Sequence, residues 1–140
     1  MDSASEPERP LVLVIDDSKT TCKILEVCLE REGYSVLSYG DPLEALRVLS
    51  VPNTAIPDIA FIDISLPGMN GYQVIQYLKA RPQFQKMTLI AISGRDGLLD
   101  RLKARLAGAK EYVTKPFKTQ EIVTLVQKYV PQNSEGDRNG

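Results

Sequence analysis

Histidine is absent from this 140-residue chain, and cysteine occurs only as Cys22 and Cys28. A structural zinc site draws its ligands mainly from those two residue types, so the sequence has almost none to offer. The cysteines lie six positions apart on one predicted helix. That is about 240° around the axis, so they point to different faces and cannot pair. Both read as packing residues. No apolar stretch approaches the roughly 18 residues that a membrane-spanning helix needs. The start, Met1-Asp2-Ser3-Ala4-Ser5-Glu6-Pro7-Glu8-Arg9-Pro10, is polar and acidic, unlike a signal or transit peptide. The expectation is a cytoplasmic protein with no membrane partner. A strong charge of either sign is also missing. The formal net charge is −1, and once the residues of the two termini are set aside, residues 11–130 hold 15 Lys or Arg against 13 Asp or Glu. Such a small excess gives no footing for direct nucleic-acid binding.

What is present is an ordinary globular composition, 43% hydrophobic and 25% charged, in a chain of one-domain length that can bury a core without disulfides or metal staples. Apolar runs and amphipathic stretches alternate along it. Leu11 to Ile15 is continuously apolar, as a strand buried on both faces should be. Ser18 can cap a helix to about Glu32, with Leu25, Cys28 and Leu29 inward and Gly33 as its stop. Tyr34 to Tyr39 is a second strand. Asp41-Pro42 opens a helix through Leu49, the proline falling where its missing N–H is harmless. The third strand is Asp58 to Asp63. Asn70 or Gly71 starts a helix carrying Tyr72, Val74, Ile75 and Leu78, which Arg81-Pro82 closes.

Met87 to Ile92 is the fourth strand, and Leu98, Leu99, Leu102 and Leu106 mark a fourth helix that Gly108 ends. Glu111 to Thr114 is the fifth strand, and a helix from about Thr119 carries Ile122, Val126 and Tyr129 on one face. Five such units predict an α/β fold, a doubly wound (βα)5 domain with a parallel sheet and right-handed crossovers. The expected organisation is a flexible extension over residues 1–10, the folded domain over 11–130 and a disordered tail over 131–140. In open sheets of this kind ligands bind beyond the carboxyl ends of the strands, where the strand order reverses.

The residues at those strand ends are not neutral. Asp16 and Asp17 follow the first strand, Asp63 ends the third, Ser93 follows the fourth and Lys115-Pro116 the fifth. An ionised carboxylate beside a core costs several kcal/mol unless a cation or hydrogen bonds compensate it, roughly as for any buried charge. Three of them point to a metal. Taken singly, Asp16-Asp17-Ser18 is as well explained as a helix cap, Pro67-Gly68 as a turn, and Ser93-Gly94 and Lys115-Pro116 as loop punctuation. Their joint occurrence, with Pro67 four and Gly71 eight positions after Asp63, is not explained that way.

In that order, an acid pair, a third acid, a hydroxyl and a lysine resemble a chemotaxis-type response-regulator receiver domain from Leu11 to about Val130. The resemblance implies a flavodoxin-like sheet of order 2-1-3-4-5. It implies Mg²⁺, or Mn²⁺, held directly by Asp17 and Asp63 and by the Ser65 backbone carbonyl, with Asp16 holding one of the ion's waters. Asp63 would be the phosphorylation site, Lys115 and Ser93 the contacts to phosphoryl oxygens, and Ser93 and Tyr112 the switch. Pro116 would follow a cis bond. A histidine kinase or histidine phosphotransfer protein would be the donor. A downstream protein would read the face made by the fourth helix, fifth strand and fifth helix. The module would be no enzyme beyond its own phosphorylation and autodephosphorylation.

Departures and rivals sharpen these expectations. Gly94 stands where receivers often have alanine, and Ser65 and Arg95 stand where the family tunes autodephosphorylation. Arg101 and Glu121 fit the charge pattern of the DNA-binding branch's dimer, but Leu125 and Gln127 replace cations that it needs, so a monomer or weak dimer is expected. The nine residues after Pro131 are too few for another domain, which favours a stand-alone regulator over a receiver fragment of a larger regulator or hybrid kinase. An aspartate-nucleophile phosphatase would want Asp-x-Asp after the first strand. Asp16-Asp17-Ser18-Lys19-Thr20 has its acids adjacent.

Overall fold

The computed structural model describes residues 9–65 and 70–132. The Pro67-Gly68 turn, residues 1–8 of the predicted extension and residues 133–140 of the predicted tail lie outside the described residues. Five strands form in chain order: β1 (Leu11–Ile15), β2 (Ser35–Tyr39), β3 (Ile59–Asp63), β4 (Thr88–Ser93) and β5 (Glu111–Thr114). They alternate with α1 (Lys19–Arg31), α2 (Pro42–Leu49), α3 (Gly71–Lys79), α4 (Leu98–Ala107) and α5 (Thr119–Tyr129). All pairings are parallel, in the order β2-β1-β3-β4-β5, the flavodoxin-like arrangement.

Successive side chains of a strand point to opposite faces, and the two sides of the core divide accordingly. Val12, Val14, Phe61, Ile90 and Ile92 pack against Leu25 and Leu29 of α1 and Ile122, Val123 and Val126 of α5. Leu13, Ile15, Ala60, Ile62 and Ala91 pack against residues of α2, α3 and α4. Strands covered on both faces must be apolar throughout, which is why β1 and β3 read as unbroken runs. Among the described residues no helix is long and apolar enough to cross a membrane.

Several element ends differ from expectation by one residue, each for a visible reason. Tyr34 precedes β2 because its buried ring sits in the core and its hydroxyl donates to the Val130 carbonyl at 3.1 Å. Asp58 precedes β3, where its carboxylate accepts the Leu11 N–H at 2.9 Å. A short 3-10 turn at Pro82–Phe84, which the sequence did not announce, buries Phe84 and carries the chain to Met87 ahead of β4. In α1 the inward cysteine is Cys22, not Cys28: positions 22, 25 and 29 share the buried face, and Cys28 lies half-buried at its edge.

The facing of α4 is what the sequence left open. The helix forms where predicted and ends at Gly108, whose φ of +129° suits glycine. Its four leucines nevertheless face outward, with Leu98 84%, Leu99 62%, Leu102 49% and Leu106 78% exposed. The residues it buries are Ala104 and Ala107.

Candidate functional site

The strand order reverses between β1 and β3, so the carboxyl ends of the two central strands meet. Asp16, Asp17 and Asp63 each bring one carboxylate oxygen within 4.8 Å of the others. Asp16 and Asp63 are buried, and Asp17 is exposed at the rim.

The local chain explains how Asp16 is aimed. Its Oδ1 accepts the Ser18 N–H at 2.9 Å, and Ser18 in turn caps α1 by accepting the Thr21 N–H at 3.2 Å. The capping turn and the acid site are therefore one construction, with Oδ2 left to face inward. That oxygen is buried and, among the described residues, has no aligned hydrogen bond. Its neighbour is the Lys115 ammonium at 2.7 Å, an ion pair without good hydrogen-bond direction. Burial pushes the Asp16 carboxyl above its ordinary value, by more than Lys115 and the Ser18 amide draw it down. Burial also works against the charge on Lys115, but the pull of Asp16 and then Asp63 outweighs it and holds the ammonium above its ordinary value. The carboxylate is thus the undercompensated partner.

Asp63 is 4% exposed. Its Oδ1 accepts the backbone N–H of Ser65 at 2.9 Å and the Ser65 hydroxyl at 2.7 Å, while Oδ2 faces Lys115 Nζ at 3.2 Å. The hydrogen bonds that Ser65 gives to Asp63 were not anticipated, since Ser65 had been singled out for its carbonyl and for its place where the family tunes autodephosphorylation. Lys115 leaves β5 ahead of a cis bond to Pro116, and its own N–H is held by the Ser93 carbonyl at 2.7 Å. Asp16 and Asp63 share the Lys115 ammonium, and Asp17 stands beside them at the rim. An oxygen-only donor set short of positive charge, with one buried oxygen poorly satisfied, fits a hard divalent cation.

Ser93 ends β4 fully buried, and its Oγ accepts the Arg95 N–H at 2.9 Å. It shares a recess of about 280 Å³ with Ser65, Asn70, Tyr72 and Arg95. Tyr112 stands apart from the acids. Its hydroxyl donates to the Arg95 carbonyl at 2.8 Å, and the Arg101 guanidinium lies 4.8 Å from its ring centroid. Arg95 therefore links Ser93 to Tyr112 through its own backbone, its N–H on one and its C=O on the other. Nothing in the residue type of Arg95 signals that role.

Gly71, which the sequence marked by its spacing from Asp63 and as a helix start, has a cause that only the structure shows. A Cβ there would lie 2.3 Å from the Ile64 Cα and 2.6 Å from the Asp63 carbonyl oxygen, so only glycine lets α3 begin against the loop that carries Asp63. Gly94 is different, because nothing lies within 4 Å of the position its Cβ would occupy and an alanine methyl would fit.

With this geometry in view, the comparisons with known proteins are direct. The model of the response regulator receiver domain matches residues 12–127. Protein PilG of Pseudomonas aeruginosa is 36% identical over 120 residues, which cover 86% of this chain and 87% of PilG. The sensor histidine kinase CheAY of Helicobacter pylori is 33% identical over 137 residues, 98% of this chain but 17% of that kinase. The crystal structure of a response regulator from Chloroflexus aurantiacus superposes with a TM-score of 0.79 at 27% identity, covering 87% of this chain and 98% of that one. Fold, acid-rich strand ends and sequence likeness over most of its length agree: this chain belongs to the response regulator receiver family of two-component signalling.

Proposed function

We propose that this receiver is a phospho-acceptor in which Asp63 takes a phosphoryl group from a histidine kinase or a histidine phosphotransfer protein. The observation that carries this is Asp63 itself: a buried carboxylate with one oxygen held by Ser65 and the other turned toward Lys115, beside two further acids. As the Asp63 oxygen bonds to phosphorus, the N–P bond of the phosphohistidine breaks. Its electron pair leaves on the imidazole, which takes up a proton. Lys115 follows the charge, exchanging its contact with Asp63 Oδ2 for a phosphoryl oxygen. Asp16, Asp17 and Asp63, with the Ser65 carbonyl, would hold Mg²⁺ or Mn²⁺, which when bound supplies the positive charge that the site lacks.

Ser93 connects the site to the surface. To reach a phosphoryl oxygen its hydroxyl moves inward, either drawing the Arg95 N–H with it or releasing it, and Arg95 is the residue whose carbonyl holds Tyr112. A shift of that loop frees Tyr112 to move and reshapes the face of α4, β5 and α5 for a downstream protein. The module is a signalling switch whose only chemistry is its own phosphorylation and dephosphorylation.

Intact-mass measurement after treatment with acetyl phosphate and Mg²⁺ tests the acceptor. Wild type should gain one phosphoryl group labile to hydroxylamine, and Asp63→Asn should gain none. An undiminished adduct on the variant would mean that another residue accepts the group.

A further inference from the structure

α4 rests on the domain through small residues, and small residues leave a hollow. Between α4 and β5 lies a cleft of about 120 Å³ whose lining includes Ala104 and Ala109. A water needs only roughly 10–15 Å³, so a tetrahedral oxyanion fits. The other walls are charged. Arg101 and Arg105, one helical turn apart on α4, line the cleft together with Lys110, just ahead of β5. Arg101 is held by Asp96 at 2.8 Å, and its guanidinium lies 4.8 Å from the Tyr112 ring centroid. Arg105 and Lys110 are exposed, and among the described residues neither has a carboxylate within ion-pair distance. The acid in the wall, Glu111, is already claimed by two groups that do not line the cleft, the Tyr129 hydroxyl and Lys128 at 3.1 Å.

Cations in the last turn of a helix are ordinarily explained by its dipole. That account covers Arg105 but not Arg101, which lies in the first half of α4, nor Lys110, which lies beyond its end. The surroundings have the same sign. Residues 77–110, from the end of α3 to the residue before β5, hold eight Lys or Arg and only two acids, Asp96 and Asp100, in a chain whose net charge is −1. Such a concentration of one sign steers anions toward this side of the domain.

We propose that this cleft binds a compact, multiply charged oxyanion, the phosphate or pyrophosphate group of a soluble small molecule, at a place separate from the acids around Asp63. Two guanidiniums present forked N–H donors that match a tetrahedral oxyanion, and Lys110 adds a point charge. To reach the anion, Arg101 turns from Asp96 and from the Tyr112 ring, so occupancy of the cleft is felt at Tyr112. Only the consequence for signalling rests on the reading of Tyr112 as a switch. The binding itself does not.

The test titrates the isotope-labelled full chain, in EDTA to keep cations out of the acid site, with pyrophosphate and separately with succinate at matched ionic strength. Pyrophosphate should shift resonances of residues 101–112, the Tyr112 ring included, and bind at least about tenfold more tightly than the dicarboxylate. Arg105→Gln/Lys110→Gln should weaken it by at least about tenfold while leaving the thermal midpoint near wild type, since both side chains are exposed. Arg105→Lys should fall between the two, having kept the charge and lost the fork. Asp63→Asn should bind pyrophosphate as wild type does.

Equal affinity for the two anions, or binding that the double variant leaves unchanged, would reduce the cleft to a general excess of positive charge and overturn the proposal. No binding at millimolar pyrophosphate would overturn it as well. Loss of binding in Asp63→Asn would move the anion to the acid site. Sedimentation showing a dimer that the double variant dissolves would assign these cations to a carboxylate of a second copy instead.

Discussion

α1 and α4 both carry leucines at helical spacing, and they use them in opposite ways. α1 turns Leu25 and Leu29 into the core together with Cys22, and Ser18 caps its first turn. α4 turns four leucines outward, buries two alanines, and starts at Gly97 with no side-chain cap. Burying a leucine contributes roughly 1.5–3 kcal/mol, and an alanine methyl far less. α1 is therefore held by its packing, whereas α4 lies against the domain through small residues that permit close approach and little adhesion. The apolar repeat along a helix reveals that it has a face. It does not reveal whether that face is for folding or for binding.

The largest expected effect tests this contrast head on. Leu25→Ala should lower unfolding free energy by about 3 kcal/mol, the usual scale for emptying a fully buried site. Leu106→Ala should stay within about 0.5 kcal/mol of wild type, as an exposed substitution does. Urea melts of the two variants, with unchanged slope, decide it. If Leu106→Ala costs as much as Leu25→Ala, the α4 leucines are covered in solution and the comparison fails.

A second measurement approaches α4 from its buried side. Ala104 is 1% exposed and packed against neighbouring alanines and the sheet. Ala104→Leu should cost about 2 kcal/mol by overpacking. It should also lift α4 outward, so resonances of Tyr112 and Arg95 should shift with it. A neutral Ala104→Leu would show that α4 has room to rotate its leucines inward, which would erase the difference between the two helices.

The same contrast explains what could be read from the residues alone. Strand ends were legible because a carboxylate, a hydroxyl or an ammonium there cannot be accounted for by packing, so Asp16, Asp17, Asp63, Ser93 and Lys115 stood out before any geometry was known. The direction of α4 was not legible, because leucines and alanines are both apolar and spacing cannot rank them. Cys28 misled for a related reason, since by helical spacing it lies only about 60° from Leu25 and spacing cannot tell the edge of a buried stripe from its centre. Gly71 looked like a helix start, but its necessity lies in the 2.3 Å approach to Ile64, a contact between segments that no local pattern encodes. Arg95 acts through its backbone, to which sequence patterns are blind.

A third measurement concerns motion. Helices with few buried apolar contacts open locally before the rest of a domain does. Native-state hydrogen exchange should show α4 amides opening at free energies on the order of 1–2 kcal/mol below those of α1. Beryllofluoride with Mg²⁺ should narrow that gap if Ser93 and Arg95 carry the signal, and Ser93→Ala should leave it unchanged. Indistinguishable protection of the two helices would mean that the alanine contacts hold α4 as firmly as leucines hold α1.

The smallest effect lies beside α4, where a polar clasp supplements the apolar packing of Val113 on β5 with Ile122, Val123 and Val126 on α5. The Glu111 carboxylate accepts the Tyr129 hydroxyl and pairs with Lys128 at 3.1 Å. The Tyr129 hydrogen bond, with help from Lys128 and against a smaller effect of burial, holds the Glu111 carboxyl below its ordinary value of 4.5. A lowered carboxyl stabilises the fold fully above that ordinary value and loses its contribution as pH falls through the folded one. Glu111→Gln should therefore cost less than about 1 kcal/mol at neutral pH, as half-exposed ion pairs do, and should flatten the acid limb of the stability curve. Tyr129→Phe, which keeps the ring and removes the donor, should flatten it in the same window. Leu25→Ala should instead lower the curve by a similar amount at every pH, because no titrating group faces it as partner. If the Glu111 and Tyr129 variants also displaced the whole curve and left its acid limb as steep as before, the clasp would be holding β5 to α5 by packing, as α1 is held, and not by charge.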